Sequence, residues 1–118
     1  MTWRAPVHYE AMRRPSVQIL FFEGCPNHQQ ASELVEQVAH ELGLQPEIAL
    51  VEVTDVEAAE RLRFLGSPTI RVEGRDVEPG ADERDDYALS CRVYRSEHGL
   101  AGQPDAQLIR DALTSAAT

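Results

Sequence analysis

The chain lacks lysine, since all 11 of its basic residues are arginine. This absence excludes any mechanism that needs a lysine nucleophile or a lysine Schiff base. Basic residues are also outnumbered by 20 acidic residues, which gives a formal net charge of -9. Nucleic acids and anionic membrane surfaces both attract proteins with a basic surface, so we expect neither of them as a partner.

Long apolar runs are missing as well. The longest apolar stretch extends from Val17 to Phe22, includes Gln18, and is far too short to span a bilayer. Residues 1–15 contain no apolar run of the kind that a secretory signal peptide has, so we expect a cytoplasmic protein. A chain of 118 residues is the size of one domain, and we expect a flexible tail at 1–15 and one folded unit at 16–118.

Cysteine is scarce, with Cys25 and Cys91 as its two occurrences. Small secreted domains that depend on disulfides are rich in cysteine, so this composition argues against a disulfide framework. Two cysteines in such a chain are more often reactive, metal-binding or inert than structural. The sequence around each cysteine therefore decides which of these roles to expect.

Apolar periodicity predicts the element order β-α-β-α-β-β-α. Strands are predicted at residues 16–23, 47–53, 70–73 and 90–94, and helices after Cys25, at the capping-box sequence of residues 54–57, and from about Pro104. The first helix has apolar residues at helical spacing from Ala31 to Leu42, and Gly43 supplies a stop signal. Strand-helix-strand units favour parallel pairing. The predicted fold is α/β, with a four-stranded mixed sheet flanked by helices on both faces.

Cys25 lies between the first strand and the first helix, in the sequence FFEGCPNHQQA. Proline is favoured at the first helical position, so Pro26 makes Cys25 the predicted N-cap, near the surface. The sulfur would then face free backbone N–H groups and the positive end of the helix dipole. Both favour the thiolate, which is the nucleophile and the soft-metal ligand. The alternative is a small, buried and inert cysteine.

His28 and Cys91 are the candidate partners of Cys25. His28 stands where a C-x-x-C motif has its second cysteine, and it would stabilise a thiolate, accept a proton or share a metal, unless it is simply solvated. Cys91 would resolve a disulfide or bind a metal if its strand ends near Cys25, and would otherwise pack inside that strand. A closed zinc site would need His98 as a fourth ligand.

The element order, the cysteine ahead of the first helix and the Ser-Pro that opens the third strand resemble the thioredoxin-like fold in its short, glutaredoxin-sized form, over residues 16–116. This resemblance implies that Cys25 is the active-site cysteine and that a cis-proline, Pro68, faces it. It also implies substrate binding at Ser67, Pro68 and Thr69, with the backbone of Ser67 pairing with a substrate peptide or thiol adduct.

The sequences FEGCPN, GSPTIRVEGRD and CRVY further resemble a group of small bacterial thioredoxin-like proteins that are often labelled alkylmercury-lyase-related. An organomercurial lyase uses two cysteines and an aspartate. Cys25 and Cys91 could take the parts of the two cysteines, but no aspartate follows Cys25 at the matching spacing, and His28 occupies that place.

The resemblance implies a thiol-dependent function in which Cys25 carries out monothiol–disulfide exchange or captures soft electrophiles. Resolution of a mixed disulfide would then come from Cys91 or from an external thiol such as glutathione. The alternatives are a non-catalytic module that binds a thiol compound, a protein or a heavy metal such as mercury, and an alkylmercury-lyase-like activity. The expected partner is thus a thiol or disulfide substrate, or a soft metal ion. No cofactor is expected.

Overall fold

The computed structural model describes residues 14–96 and 99–117. Of the tail predicted at residues 1–15, Arg14 and Pro15 therefore lie within the described part, and the rest lies outside it. Pro15 is buried, and its carbonyl oxygen accepts a hydrogen bond from the N–H of Glu47 at 2.9 Å. This bond attaches the start of the described chain to the second strand.

The secondary structure follows the predicted order closely over its first half. The strands are β1 (Ser16–Phe21), β2 (Glu47–Glu52), β3 (Thr69–Val72), β4 (Arg75–Asp76), β5 (Tyr94–Ser96) and β6 (Gly99–Ala101), and the helices are α1 (His28–Glu41), α2 (Val56–Arg61) and α3 (Ala106–Ala117). Among the described residues, none of the helices combines the length and the apolar character that crossing a membrane requires.

Four strands form one mixed sheet in the order β2-β1-β3-β4. Strand β1 runs parallel to β2 and antiparallel to β3, and β3 runs antiparallel to β4. The parallel β1-α1-β2 unit is what the strand-helix-strand pattern predicted. The predicted α/β class with a four-stranded mixed sheet is confirmed at this level.

The fourth strand was predicted at residues 90–94, and that prediction is wrong. The fourth strand is β4, which a two-residue turn at Glu73 and Gly74 joins to β3. Both turn residues have positive φ, at 51° and 81°, as the tightest hairpin connections require. Residues 90–94 instead make one isolated bridge, between Cys91 and Ser67, and then enter the separate two-stranded sheet of β5 and β6.

Helices cover both faces of the sheet. Because successive side chains of a strand point to opposite faces, Ile19 and Leu20 enter different cores. Helices α1 and α3 pack on the face of Ile19, where the buried side chains include Val17, Val35, Ile70, Val72, Ile109 and Leu113. Helix α2 packs on the other face, with Val53, Ala58, Ala59 and Phe64. Burial of each larger apolar side chain contributes about 1.5–3 kcal/mol.

The helix ends are set by local hydrogen bonds. Helix α1 ends at Glu41 with Leu42 as its C-cap, and Gly43 follows with a φ of 70°, at the stop that the sequence predicted. Helix α2 begins one residue later than the predicted capping box, because Asp55 rather than Thr54 is its N-cap. The Asp55 carboxylate accepts a hydrogen bond from the N–H of Ala58 at 2.7 Å.

Residues 90–94 are held on the sheet by a buried ion pair. The Arg92 side chain is 1% exposed, and its Nη1 and Nη2 donate to the two carboxylate oxygens of Asp76 at 2.7 and 3.0 Å. Nη2 also donates to Glu78 at 3.1 Å. Burial alone would lower the pKa of Arg92, but the hydrogen bonds and charges of Asp76, Tyr94 and Glu78 together outweigh it and raise that pKa above its ordinary value. Arg92 is therefore a fixed cation.

Tyr94 connects Arg92 to the loop that precedes the third strand. The guanidinium of Arg92 lies over its ring, 4.4 Å from the centroid. The Tyr94 hydroxyl donates a hydrogen bond to the carbonyl oxygen of Pro68 at 2.6 Å. Burial raises the pKa of Tyr94 above its ordinary value, so the phenol keeps the proton that it donates. The two side chains together fix the segment that carries Cys91.

We expect the substitution Asp76→Asn to lower the free energy of unfolding by about 3 kcal/mol or more, because it leaves the Arg92 charge buried with incomplete compensation. Urea denaturation followed by circular dichroism measures this loss. The matched control is Asp86→Asn. Asp86 pairs with Arg84 at the surface, with its side chain 63% exposed, so its loss should cost much less stability than the loss of Asp76. Similar losses in the two variants would contradict the assignment.

Candidate functional site

Cys25 lies in a tight turn between β1 and α1. Its N–H donates to the carbonyl oxygen of Phe22 at 3.0 Å. The prediction that Cys25 is the N-cap is wrong, because Pro26 and Asn27 form a further turn and Asn27 is the N-cap of α1. The prediction that the sulfur lies near the surface is also wrong, since Cys25 is 2% exposed. The dipole of helix α1 is therefore no longer a reason to expect a thiolate at Cys25.

The peptide bond between Ser67 and Pro68 is cis, as predicted. The Sγ of Cys25 donates a hydrogen bond to the carbonyl oxygen of Ser67, at 3.5 Å. The cysteine turn and the cis-proline loop, 42 residues apart in the chain, therefore meet at this oxygen.

Cys91 approaches the same residue from a third segment. Ser67 donates its N–H to the carbonyl oxygen of Ser90 at 2.8 Å, and the N–H of Arg92 donates to the carbonyl oxygen of Ser67 at 2.9 Å. Cys91 is thus the parallel bridge partner of Ser67. It is exposed, so the alternative of a cysteine packed inside a strand is wrong.

Cys25 and Cys91 both contact Ser67, which places the two thiols on the same residue. Local loss of solvent raises the pKa of the Cys91 thiol, and interaction with the neighbouring Cys25 raises that pKa further. Both cysteines are free thiols in this structure. The sequence left open whether Cys91 comes near Cys25, and the structure brings the two together.

His28 contacts the backbone of Cys25. Its Nδ1 lies 3.1 Å from the carbonyl oxygen of Cys25, so a protonated Nδ1 donates to that oxygen. The imidazole ring also stacks on Phe21, with 4.2 Å between the ring centroids and 15° between the planes. The hydrogen bond that joins the two residues runs to the carbonyl oxygen and not to the sulfur. His28 therefore fixes the turn that carries Cys25.

The remaining predicted site residues form the loop at the cis bond. Thr69 is buried, and its hydroxyl donates to the carbonyl oxygen of Gly66 at 2.6 Å and accepts from Arg92 at 3.2 Å. The hydroxyl of Ser67 is buried as well and has no hydrogen-bond partner among the described residues. The hydroxyl of Thr69 is thus engaged in internal hydrogen bonds, whereas that of Ser67 makes none with the described residues.

Three residues that sequence reasoning missed complete the site. Arg92 and Tyr94 anchor the Cys91 segment, and Gly66 lets it approach. A Cβ atom at Gly66, where φ is 120°, would lie 2.9 Å from Cβ and 3.0 Å from Cα of Arg92. In the sequence, the strand-like pattern CRVY was the available signal for Arg92 and Tyr94. In the structure these two side chains are buried and alternate with exposed Cys91 and Val93. An arginine at an inward position of this pattern asks for an acidic partner.

Other kinds of site find less support. Within residues 14–96 and 99–117, no group of three or more histidine, cysteine, aspartate or glutamate residues is placed to hold a metal ion. His98, the fourth ligand of the hypothetical zinc site, lies outside the described residues. Two surface clefts, of about 530 and 250 Å³, include neither cysteine among their lining residues.

We expect the substitution Cys25→Ala to lower the pKa of Cys91, because it removes a neighbouring charge and a hydrogen bond that both raise it. The alkylation rate of Cys91 by iodoacetamide, followed against pH by peptide mass mapping, should have its midpoint at lower pH than in the wild type. Cys25→Ser is the matched control, since it keeps a hydrogen-bonding group without the charge and should shift the midpoint less. Identical midpoints in all three proteins would show that the thiols do not interact.

The comparisons with known proteins assign no family to the chain. No protein-family model matches the chain, and neither the curated proteins nor the solved structures include a significant match.

Proposed function

We propose that this is a thiol-dependent protein of thioredoxin-like fold in which Cys25 and Cys91 carry out thiol–disulfide exchange as a pair. The observation that carries the proposal is the convergence of both cysteines on Ser67, next to the cis bond to Pro68. The fold is compatible with it, since a cysteine follows β1 and a cis-proline precedes β3 in a β-α-β-α-β-β-α arrangement, to which the β5-β6 ribbon is added. His28 supports the turn that holds Cys25.

The proximity of the two thiols changes the expected chemistry from one thiol to two. A thiolate of the pair attacks a disulfide R–S–S–R, forms a mixed disulfide and releases one thiol RSH. The second cysteine then attacks the mixed disulfide, releases the other RSH and closes a Cys25–Cys91 disulfide. The substrate gains two electrons, and the two protons lost by the cysteines end on the released thiols. An external thiol such as glutathione would regenerate the reduced pair.

A second candidate is capture of a soft metal ion between the two sulfurs. It is favoured by the convergence of both cysteines on Ser67 and by the lack of a third histidine, cysteine or carboxylate ligand among the described residues. Thiolate ligands select soft ions, and two ligands suit an ion that binds in a linear geometry. This candidate covers the non-catalytic metal-binding role and the alkylmercury-lyase-like role that the resemblance implies.

We expect mild oxidation with 2-hydroxyethyl disulfide to convert the wild-type protein into a form that has lost two hydrogen atoms, because the second thiol resolves the mixed disulfide. Mass spectrometry of the intact chain and of its tryptic peptides should identify a Cys25–Cys91 link. Cys25→Ser and Cys91→Ser should each stop at a mixed disulfide or remain reduced. Two free thiols after prolonged oxidation of the wild type would contradict paired exchange.

We expect the wild-type protein to bind one mercury(II) ion per chain in competition with excess free thiol, because two thiolates chelate it. Inductively coupled plasma mass spectrometry after desalting gives the stoichiometry. Each single serine variant should lose the ion under the same competition, and retention by either variant would exclude chelation by the pair. Release of hydrocarbon from an organomercurial, dependent on both cysteines, would extend the role to a lyase.

A further inference from the structure

The two sulfurs of the site differ sharply in their access to solvent. Cys25 is 2% exposed, and its Sγ donates a hydrogen bond to the carbonyl oxygen of Ser67 inside the protein. Cys91 is exposed on the outer side of that segment. A substrate sulfur must reach a cysteine sulfur before a bond can form, so the first bond is sterically open to Cys91 and closed to Cys25.

We propose that Cys91, and not Cys25, forms the first covalent bond with the substrate, that Cys25 then displaces it, and that the substrate is a small disulfide rather than an extended peptide. This proposal rests on the proposed exchange function and reverses the order in which the sequence suggests that the two cysteines act.

The backbone of Ser67 has no free group to offer a peptide. Its N–H is bonded to Ser90 and its carbonyl oxygen to Arg92, so a segment of the chain itself occupies the position where an added strand would pair. This segment is not easily displaced, because the Arg92 side chain is 1% exposed and paired with Asp76. Recognition by strand addition is therefore blocked, and a substrate has to be recognised at Cys91 itself.

The surface around Cys91 suits a small organic group. Cys91, Val93 and Arg95 alternate with buried residues and so point to the same outer side. Val93 is 56% exposed, and Leu100, which pairs across the ribbon with Arg95, is 74% exposed. Val93 and Leu100 therefore place exposed apolar side chains on the side of the segment that carries the thiol. A small organic disulfide suits this surface.

The chemistry balances with the substrate as the oxidant. The Cys91 sulfur attacks one sulfur of R–S–S–R, the substrate S–S bond breaks, and the proton given up by Cys91 ends on the leaving sulfur as RSH. The Cys25 sulfur then attacks the Cys91 sulfur, the mixed disulfide breaks, and the Cys25 proton ends on the second RSH. The carbonyl oxygen of Ser67 holds the Cys25 thiol at its place during the first step.

The test follows mixed-disulfide formation with 2-hydroxyethyl disulfide in Cys25→Ser and Cys91→Ser, by mass spectrometry at one pH. We expect Cys25→Ser to accumulate the adduct on Cys91, and Cys91→Ser to react about tenfold or more slowly. In urea the two variants should react at similar rates, which shows that the fold causes the difference. Cys25→Ala provides a second exposed-thiol variant if Cys25→Ser is unstable.

The outcomes separate the two proposals. If Cys91→Ser reacts as fast as Cys25→Ser in the folded state, the order is overturned, while paired exchange stands as long as the wild type still forms its internal disulfide. If neither variant forms an adduct and the wild type forms no internal disulfide, both proposals fail. A disulfide-bridged extended peptide should show a larger drop in rate from unfolded to folded Cys25→Ser than 2-hydroxyethyl disulfide does. Equal drops would overturn the small-substrate part.

Discussion

The buried contact between Arg92 and Asp76 is the interaction on which the candidate site depends. Asp76 comes from the two-residue strand β4, and Arg92 comes from a segment with a single bridge to the sheet as its regular pairing. A buried ion pair is weak evidence for stability, since apolar side chains often serve as well. Here the ion pair fixes the position of the segment that carries Cys91. The planar guanidinium of Arg92 donates to both carboxylate oxygens of Asp76, which allows Arg92 one orientation.

Ser67 is the point at which the separate parts of the site meet. Its carbonyl oxygen accepts from the N–H of Arg92 at 2.9 Å and from the sulfur of Cys25 at 3.5 Å, and the two lone pairs of a carbonyl oxygen allow both bonds. One backbone atom therefore positions the buried thiol and the segment of the exposed thiol. Displacement of either partner changes the surroundings of the other, which makes the site a single unit although its parts are distant in sequence.

The sequence predicted what repeats locally and missed what depends on distant contacts. The first helix, β1 and β2 follow from periodicity, whereas the cis bond at Pro68 was implied by the resemblance to the thioredoxin-like fold. Strand β4 has two residues, which are too few to show a periodic pattern, so the sequence predicted the fourth strand at residues 90–94 instead. The apolar and polar side chains of residues 90–94 do alternate, but the alternation buries Arg92 against Asp76. The meeting of Cys25 and Cys91 at Ser67 has the same origin, because the two cysteines are 66 positions apart in the chain (91 − 25 = 66).

That separation couples the redox state of the pair to the stability of the whole chain. A bond between Cys25 and Cys91 would close a covalent loop of more than half the chain. Chain-entropy estimates for loops of this length give about 4 kcal/mol of stabilisation, through loss of freedom in the unfolded ensemble. By the same thermodynamic cycle, folding favours the oxidised over the reduced pair by that amount. An oxidised molecule would therefore unfold less often and survive proteases longer than a reduced one. The lifetime of each molecule would then depend on whether its cysteine pair is oxidised.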